Sequence, residues 1–190
     1  MELNKVSYEW YAVYTQVFKE KKVQDYLGRL GIECYLPLRK ILRQWSDRKV
    51  WIEEPLFPRY IFVKVSHYEY FDVFAVPGVI SYVMFGGKAQ PVSSRQIEGI
   101  RTMVCQQERE VFVSHANIGK GQFAEIMCGP LKGITGEVVR ISSDYHIVIR
   151  IDTLGCHVFT NVSAEELRIL PVAPLSRPLS AVKNHQRPLS

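Results

Sequence analysis

The sequence predicts an α+β protein in two parts: an α/β sandwich built on an antiparallel sheet with packed helices, then a small five-stranded β-barrel. Three observations carry this expectation. Over residues 8–110, short aromatic and β-branched runs alternate with stretches of helical period in the order β-α-β-β-α-β-α. Over residues 121–171, every apolar run is short, β-branched and bounded by turn residues. Between them, Glu108 to Gly119 is polar at its ends around Val111 to Val113 and gives Asn117 to Gly121, so residues 111–120 are expected as a linker. With 190 residues, 47% of them hydrophobic, the chain can fill two small cores. Its formal charge of +5 is the balance of 24 basic and 19 acidic residues, which permits attraction to a polyanion without establishing it.

Glu9 to Thr15 is the first strand, rich in aromatic residues. Gln16 to Leu30 has helical period, with Val23, Tyr26, Leu27 and Leu30 on one side, Thr15 as cap and Gly31 as terminator. Its Lys19, Lys22 and Arg29 fall elsewhere and are either a solvated face or a polyanion contact. Ile32 to Trp45 reads as extended, with Pro37 marking an edge or an irregularity. Ser46 to Arg48 turns this segment back along Lys49 to Ile52. Arg39, Lys40, Arg43, Arg48 and Lys49 make that hairpin the most basic part of the chain; with Trp45 it either binds phosphates and stacks on a base or only solubilises an edge.

The restrained bend at Pro55 to Pro58 feeds the strand from Tyr60 to Val65. Alternation assigns Ile61, Val63 and Val65 to the core and leaves Tyr60 and Phe62 on a second apolar surface, which is either packed under a helix or offered to a partner. His67 to Val76 is expected as a short helix, Pro77-Gly78 as a turn and Val79 to Phe85 as a strand broken by Gly86-Gly87. Ser93 or Ser94 caps a helix running through Gln107 with an apolar stripe of Ile97, Ile100, Met103 and Val104. After residue 171 the proline-spaced segment 172–190 lacks periodicity and is expected to be a disordered tail.

Catalytic signatures are missing. No nucleophile elbow, Walker loop or dinucleotide fingerprint occurs, and the five histidines are scattered, so neither an enzyme nor a bound cofactor is expected. Gly129, Gly133 and Gly136 read as turn residues or places of close backbone approach. Cys34, Cys105, Cys128 and Cys156 form no C-x-x-C pair, which suits free thiols. Cys156 and His157 point to opposite faces of a strand, so no metal site is expected there. Without a signal-like start or a membrane-length apolar run, the expectation is a cytoplasmic monomer that does not enter a membrane.

W-Y-A-V-Y-T at Trp10 to Thr15, L-F-P-R-Y-I-F-V at Leu56 to Val63 and P-G-V at Pro77 to Val79 resemble, in this order, the amino-terminal domain of NusG-type transcription elongation factors. G-P-L-K-G-I-T-G-E-V at Gly129 to Val138 is similar to the KOW motif that follows in that family, with Gly129, Pro130, Lys132, Gly133 and Gly136 as motif residues. The resemblance spans roughly Trp10 to Leu170. It implies a factor that binds the clamp region of RNA polymerase and suppresses pausing through binding energy alone. It also implies an apolar polymerase contact made by Trp10, Tyr11, Phe57, Pro58, Tyr60 and Phe62, with Phe85 nearby. The KOW domain would then recruit a ribosomal protein or a termination factor.

Arg59, where housekeeping members usually carry glycine, and C-Y-L-P at Cys34 to Pro37 resemble the specialised RfaH-like group, which includes UpxY-like regulators of capsular polysaccharide operons. That likeness implies antitermination in such an operon. It also implies contact with the non-template DNA strand through Gln16, Tyr26 and Arg29; Lys19, Lys22, Arg43 and Arg48 complete the expected nucleic-acid set. Two features depart from RfaH: Pro77 replaces its arginine, and Tyr70 to Asp72 replace its threonine-rich contact. Val138 to Ile141 and Ile147 to Ile151 favour strands, so a permanent barrel is expected rather than a helical hairpin. Two other readings stay open, a KOW-containing nucleic-acid or ribosome-binding module and a general elongation factor.

Overall fold

A computed structural model describes residues 6–106, 109–116, 121–141 and 144–171. Its organising strand is β1 (Glu9–Thr15), which pairs antiparallel with β5 (Tyr60–Val65) on one side and β6 (Val79–Tyr82) on the other. β2 (Glu33–Tyr35) extends the sheet beyond β5, and β9 (Pro91–Val92) pairs with the start of β1. The register sets Ala12 opposite Phe62 and Val13 opposite Ile61, so neighbouring pairs face opposite sides. On one side Val13, Ile61, Val63 and Val65 meet Val23 and Leu27 of α1 (Glu20–Arg29). On the other, Trp10, Ala12 and Phe62 meet Ile97, Ile100 and Met103 of α2 (Ser94–Cys105). The sandwich expected from alternation therefore forms, and Phe62 lies under a helix.

Several local expectations need correction. Thr15 is the last residue of β1, not a helix cap; α1 begins at Glu20, with Lys19 at its N-cap and no side-chain cap bond. Of the apolar residues expected on the buried side of this helix, only Val23 and Leu27 are buried, while Tyr26 and Leu30 are exposed. Pro37 divides the extended region into β2 and β3 (Leu38–Gln44), and β3 pairs only with β4 (Lys49–Pro55) as a separate hairpin. His67 to Val76 makes only a 3-10 turn at Asp72–Ala75, because Pro77 holds Val76 extended and the segment is too short to propagate a helix. Val79 to Phe85 divides into β6 and β7 (Met84–Phe85), and β7 forms a small hairpin with β8 (Lys88–Ala89).

Ser93 caps α2 by a reciprocal box, accepting from the Gln96 amide at 3.2 Å while its own amide donates to Gln96 Oε1 at 2.9 Å. The helix ends at Cys105; Gln107 lies outside the described residues. The second domain is a six-stranded antiparallel sheet in the order β10-β14-β13-β12-β11-β15. These strands are β10 (Phe112–Ser114), β11 (Gln122–Ile126), β12 (Thr135–Ile141), β13 (Asp144–Ile151), β14 (Cys156–Val162) and β15 (Leu167–Ile169). The sixth strand is β10, which comes from the expected linker. Residues 117–120 of that linker and the whole expected tail, 172–190, lie outside the described residues. Val138 to Ile141 and Ile147 to Ile151 are strand, as their β-branching requires. No helix among the described residues is long and apolar enough to cross a membrane.

Candidate functional site

The seven residues expected to contact polymerase do not form one open patch. Trp10, Phe57 and Phe62 are buried and belong to one apolar cluster with the α2 stripe and with Ile126, Ile149, Ile151 and Val158 of the barrel. Phe57 packs edge-on to Phe62, ring centroids 5.7 Å apart. Tyr60 is half-buried against the same cluster, 5.3 Å from Tyr14. Its phenol pKa is raised by burial first and then by Tyr14 and Cys156. Pro58 is exposed at the bend, and Phe85 stands in solvent on the β7–β8 hairpin. Tyr11 faces the other side of the sheet, edge-on to Tyr70 and Tyr82, with its hydroxyl donating to Glu9.

The barrel is held against this face by a second stripe of α2. Gln96, Gly99 and Gln106 follow one another around the helix toward the barrel. Gln96 Nε2 donates to the Arg150 carbonyl at 2.5 Å, and Gln106 Nε2 donates to the Pro130 carbonyl at 3.1 Å. Gly99 is buried between them, and a Cβ there would stand 2.5 Å from Ile149 Cδ1. Glycine is unfavourable inside a helix, so this one is explained by close approach of β13. Beyond the helix, Arg109 bridges Glu166 at 2.5 Å and donates to the Asn161 carbonyl at 2.7 Å. The guanidinium of Arg109, opposed by burial and aided by Ser163, holds the Glu166 carboxyl below its ordinary range. Sequence reading assigned no role to Gly99 or Arg109, although a glycine inside a helical period was a visible signal.

The expected nucleic-acid residues occupy two places. Lys19, Lys22, Tyr26 and Arg29 run along one stripe of α1, and the Arg29 guanidinium lies 5.7 Å from the Tyr26 ring centroid. Gln16 precedes them in a turn tied to Gly78, its amide donating to that carbonyl at 2.8 Å. Arg43 and Arg48 stand on the β3–β4 hairpin, where Arg43 shares Glu54 with Arg39 at 3.3 and 2.6 Å. Arg48 lies at the exposed tip, where its carbonyl accepts from the Trp45 amide at 2.8 Å. The two places approach each other where Lys21 Nζ donates to the Glu53 carbonyl at 3.3 Å. Phe18, between Gln16 and Lys19, escaped the sequence reading and is 91% exposed.

Arg59 has a left-handed backbone, φ 71°, which explains why glycine suits this position. Backbone and side chain both hold the arginine there, the latter in part through Nε, which donates to the Thr15 carbonyl at 3.5 Å. Its amide donates to Glu20 Oε1 at 2.7 Å, its carbonyl accepts from the Thr15 amide at 2.8 Å, and its guanidinium stands 4.2 Å from the Tyr14 ring centroid. In the turn expected as a KOW motif, Gly129 and Gly133 have positive φ, while Gly136 on β12 leaves room for the Val148 carbonyl, 2.6 Å from where a Cβ would be. Leu131 is buried, and Pro130 faces the end of α2 through the Gln106 bond.

With this architecture in view, comparison with known proteins identifies the class. The family model NusG, described as transcription termination factor nusG, matches residues 8–101. Residues 8–101 of the chain belong to the NusG family. The transcription termination/antitermination protein NusG of Deinococcus radiodurans is 24% identical over 163 residues, covering 73% of this chain and 86% of the relative. The protein of the same name from Thermus thermophilus is 23% identical over 158 residues, covering 73% and 85%. A solved structure, "Domain interaction in Thermotoga maritima NusG", is 24% identical and covers 86% of this chain and 98% of that one, with a TM-score of 0.48.

Proposed function

We propose that this NusG-family protein is an antitermination factor that binds the clamp region of elongating RNA polymerase and suppresses pausing in a capsular or exopolysaccharide operon. The observation that carries the polymerase reading is the concentration of Trp10, Phe57, Tyr60 and Phe62 on one side of the NusG-type sheet. Such rings supply buried anchors at a protein interface. On that side α2 covers Trp10 and Phe62, and the barrel packs against the same cluster, so polymerase and barrel compete for the rings at its border, Tyr60 among them. Arg59 and the C-Y-L-P run support the specialised operon role. The stripe of α1 and the basic hairpin support contact with the displaced non-template strand, and the exposed Lys132 of the KOW turn is available to a ribosomal protein or termination factor.

Binding is tested by substituting anchors that the fold does not depend on. Phe62 is fully buried, and its truncation would cost roughly 3–5 kcal/mol of stability, confounding the result. Tyr60→Ala combined with Phe85→Ala removes one half-buried and one exposed ring and spares the fully buried ones, with folding checked by circular dichroism. Polymerase affinity of this variant should fall about 30-fold or more, with pause suppression lost in a single-round elongation assay. Full binding by the folded double variant would sink the reading.

A further inference from the structure

Phe18 is out of place by every local criterion. Its side chain is 91% exposed, and its backbone lies in the left-handed region at φ 59°, where a bulky side chain is strained. The backbone conformation has a structural cause. Residues 16–19 turn β1 into α1, with the Gln16 amide bonded to the Gly78 carbonyl at 2.8 Å and the Lys19 amide to the Gln16 carbonyl at 3.1 Å. That turn needs positive φ and would be best served by glycine. The phenyl ring has no such cause, because it covers nothing in the fold.

Its surroundings indicate what it meets. Lys19 follows it in the chain and Lys22 lies a helical turn further on, both exposed, and the stripe continues through Tyr26 to Arg29. The adjacent acid, Glu20, is turned inward and accepts the Arg59 amide at 2.7 Å, so its carboxylate is taken up within the fold. Exposed rings at Phe18 and Tyr26 interleaved with cations, with Val17 the adjacent exposed aliphatic residue, make an arrangement like that of single-strand binding sites. There, bases stack on aromatic rings while cations follow the phosphates.

We propose that Phe18 is a stacking platform for an unpaired base of a single-stranded nucleic acid whose phosphates run along Lys19, Lys22 and Arg29. The proposal rests on the nucleic-acid reading of the α1 stripe and adds the residue that grips the base. Stacking is tolerant of base identity, so Phe18 contributes affinity and Gln16, beside it, is the nearer source of base preference.

The test uses the full chain and a fluorescent single-stranded DNA of about 12 nucleotides, with affinity followed by anisotropy over a salt series. Phe18→Gly should raise thermal stability by relieving strain yet weaken DNA binding about 5- to 100-fold with an unchanged salt slope. Phe18→Trp should retain binding. Lys22→Ala should instead reduce the salt slope by about one unit. Wild-type binding with no loss in Phe18→Gly overturns the proposal while leaving the nucleic-acid reading intact. No binding by the wild type at low salt defeats both. Loss of polymerase affinity in Phe18→Gly with unchanged DNA affinity would make the ring a protein contact and overturn the proposal.

Discussion

At the scale of single residues, Arg59 and His157 show how local strain and burial are balanced. Arg59 exchanges backbone comfort for the stack of its guanidinium on Tyr14 and a 3.5 Å bond from its Nε to the Thr15 carbonyl. Arg59→Ala keeps the strain and loses the stack, so it should destabilise by roughly 1 kcal/mol. Arg59→Gly loses the stack but relieves a strain of about 1–2 kcal/mol, so it should be at least as stable as Arg59→Ala; urea midpoints will rank them, and Ala above Gly would contradict the strain account. His157 is buried on β14, and burial, then Arg150 and His115, holds its imidazole below the ordinary value. The folded state therefore keeps it neutral while the unfolded chain takes up a proton below about pH 6.5. Its contribution to stability is complete above that pH and is lost as pH falls toward the lowered folded value. Thermal midpoints between pH 7.5 and 5.5 should fall in the wild type and fall less in His157→Gln.

At the scale of elements, α2 joins the two domains because it carries two stripes. Ile97, Ile100 and Met103 serve the sheet, while Gln96, Gly99 and Gln106 serve the barrel. The first stripe was legible in the sequence because apolar residues recurring every three to four positions have one common cause, burial. The second was not, because two glutamines and a glycine have no hydrophobic signal. Gly99→Glu places a long charged side chain where β13 now approaches and should separate helix from barrel. The Cys156 thiol reports this separation: it is buried and its pKa is pushed up to about 11 by that burial. With Cys34, Cys105 and Cys128 replaced by serine, labelling of Cys156 should be slow in the parent and markedly faster with Gly99→Glu. Equal rates would show that Gly99 does not control the approach.

At the scale of the whole molecule, the barrel packs on the cluster that holds Trp10, Phe57 and Tyr60, and the proposed polymerase contact has to compete with that packing. The same Gly99→Glu substitution should raise polymerase affinity, since the undocking that competes with binding is made easier; unchanged affinity would mean that the barrel does not compete. The sequence by itself determined the two-part α+β plan, the core roles of Ile61, Val63 and Val65, and the family, because alternation, helical period and contiguous motifs are local patterns. Only the tertiary structure decided that both sides of the strand from Tyr60 to Val65 are covered, that β10 joins the barrel, and that Phe18 is strained and bare. Those outcomes depend on contacts between segments far apart in the chain and on backbone angles set by those contacts, which residue order does not display.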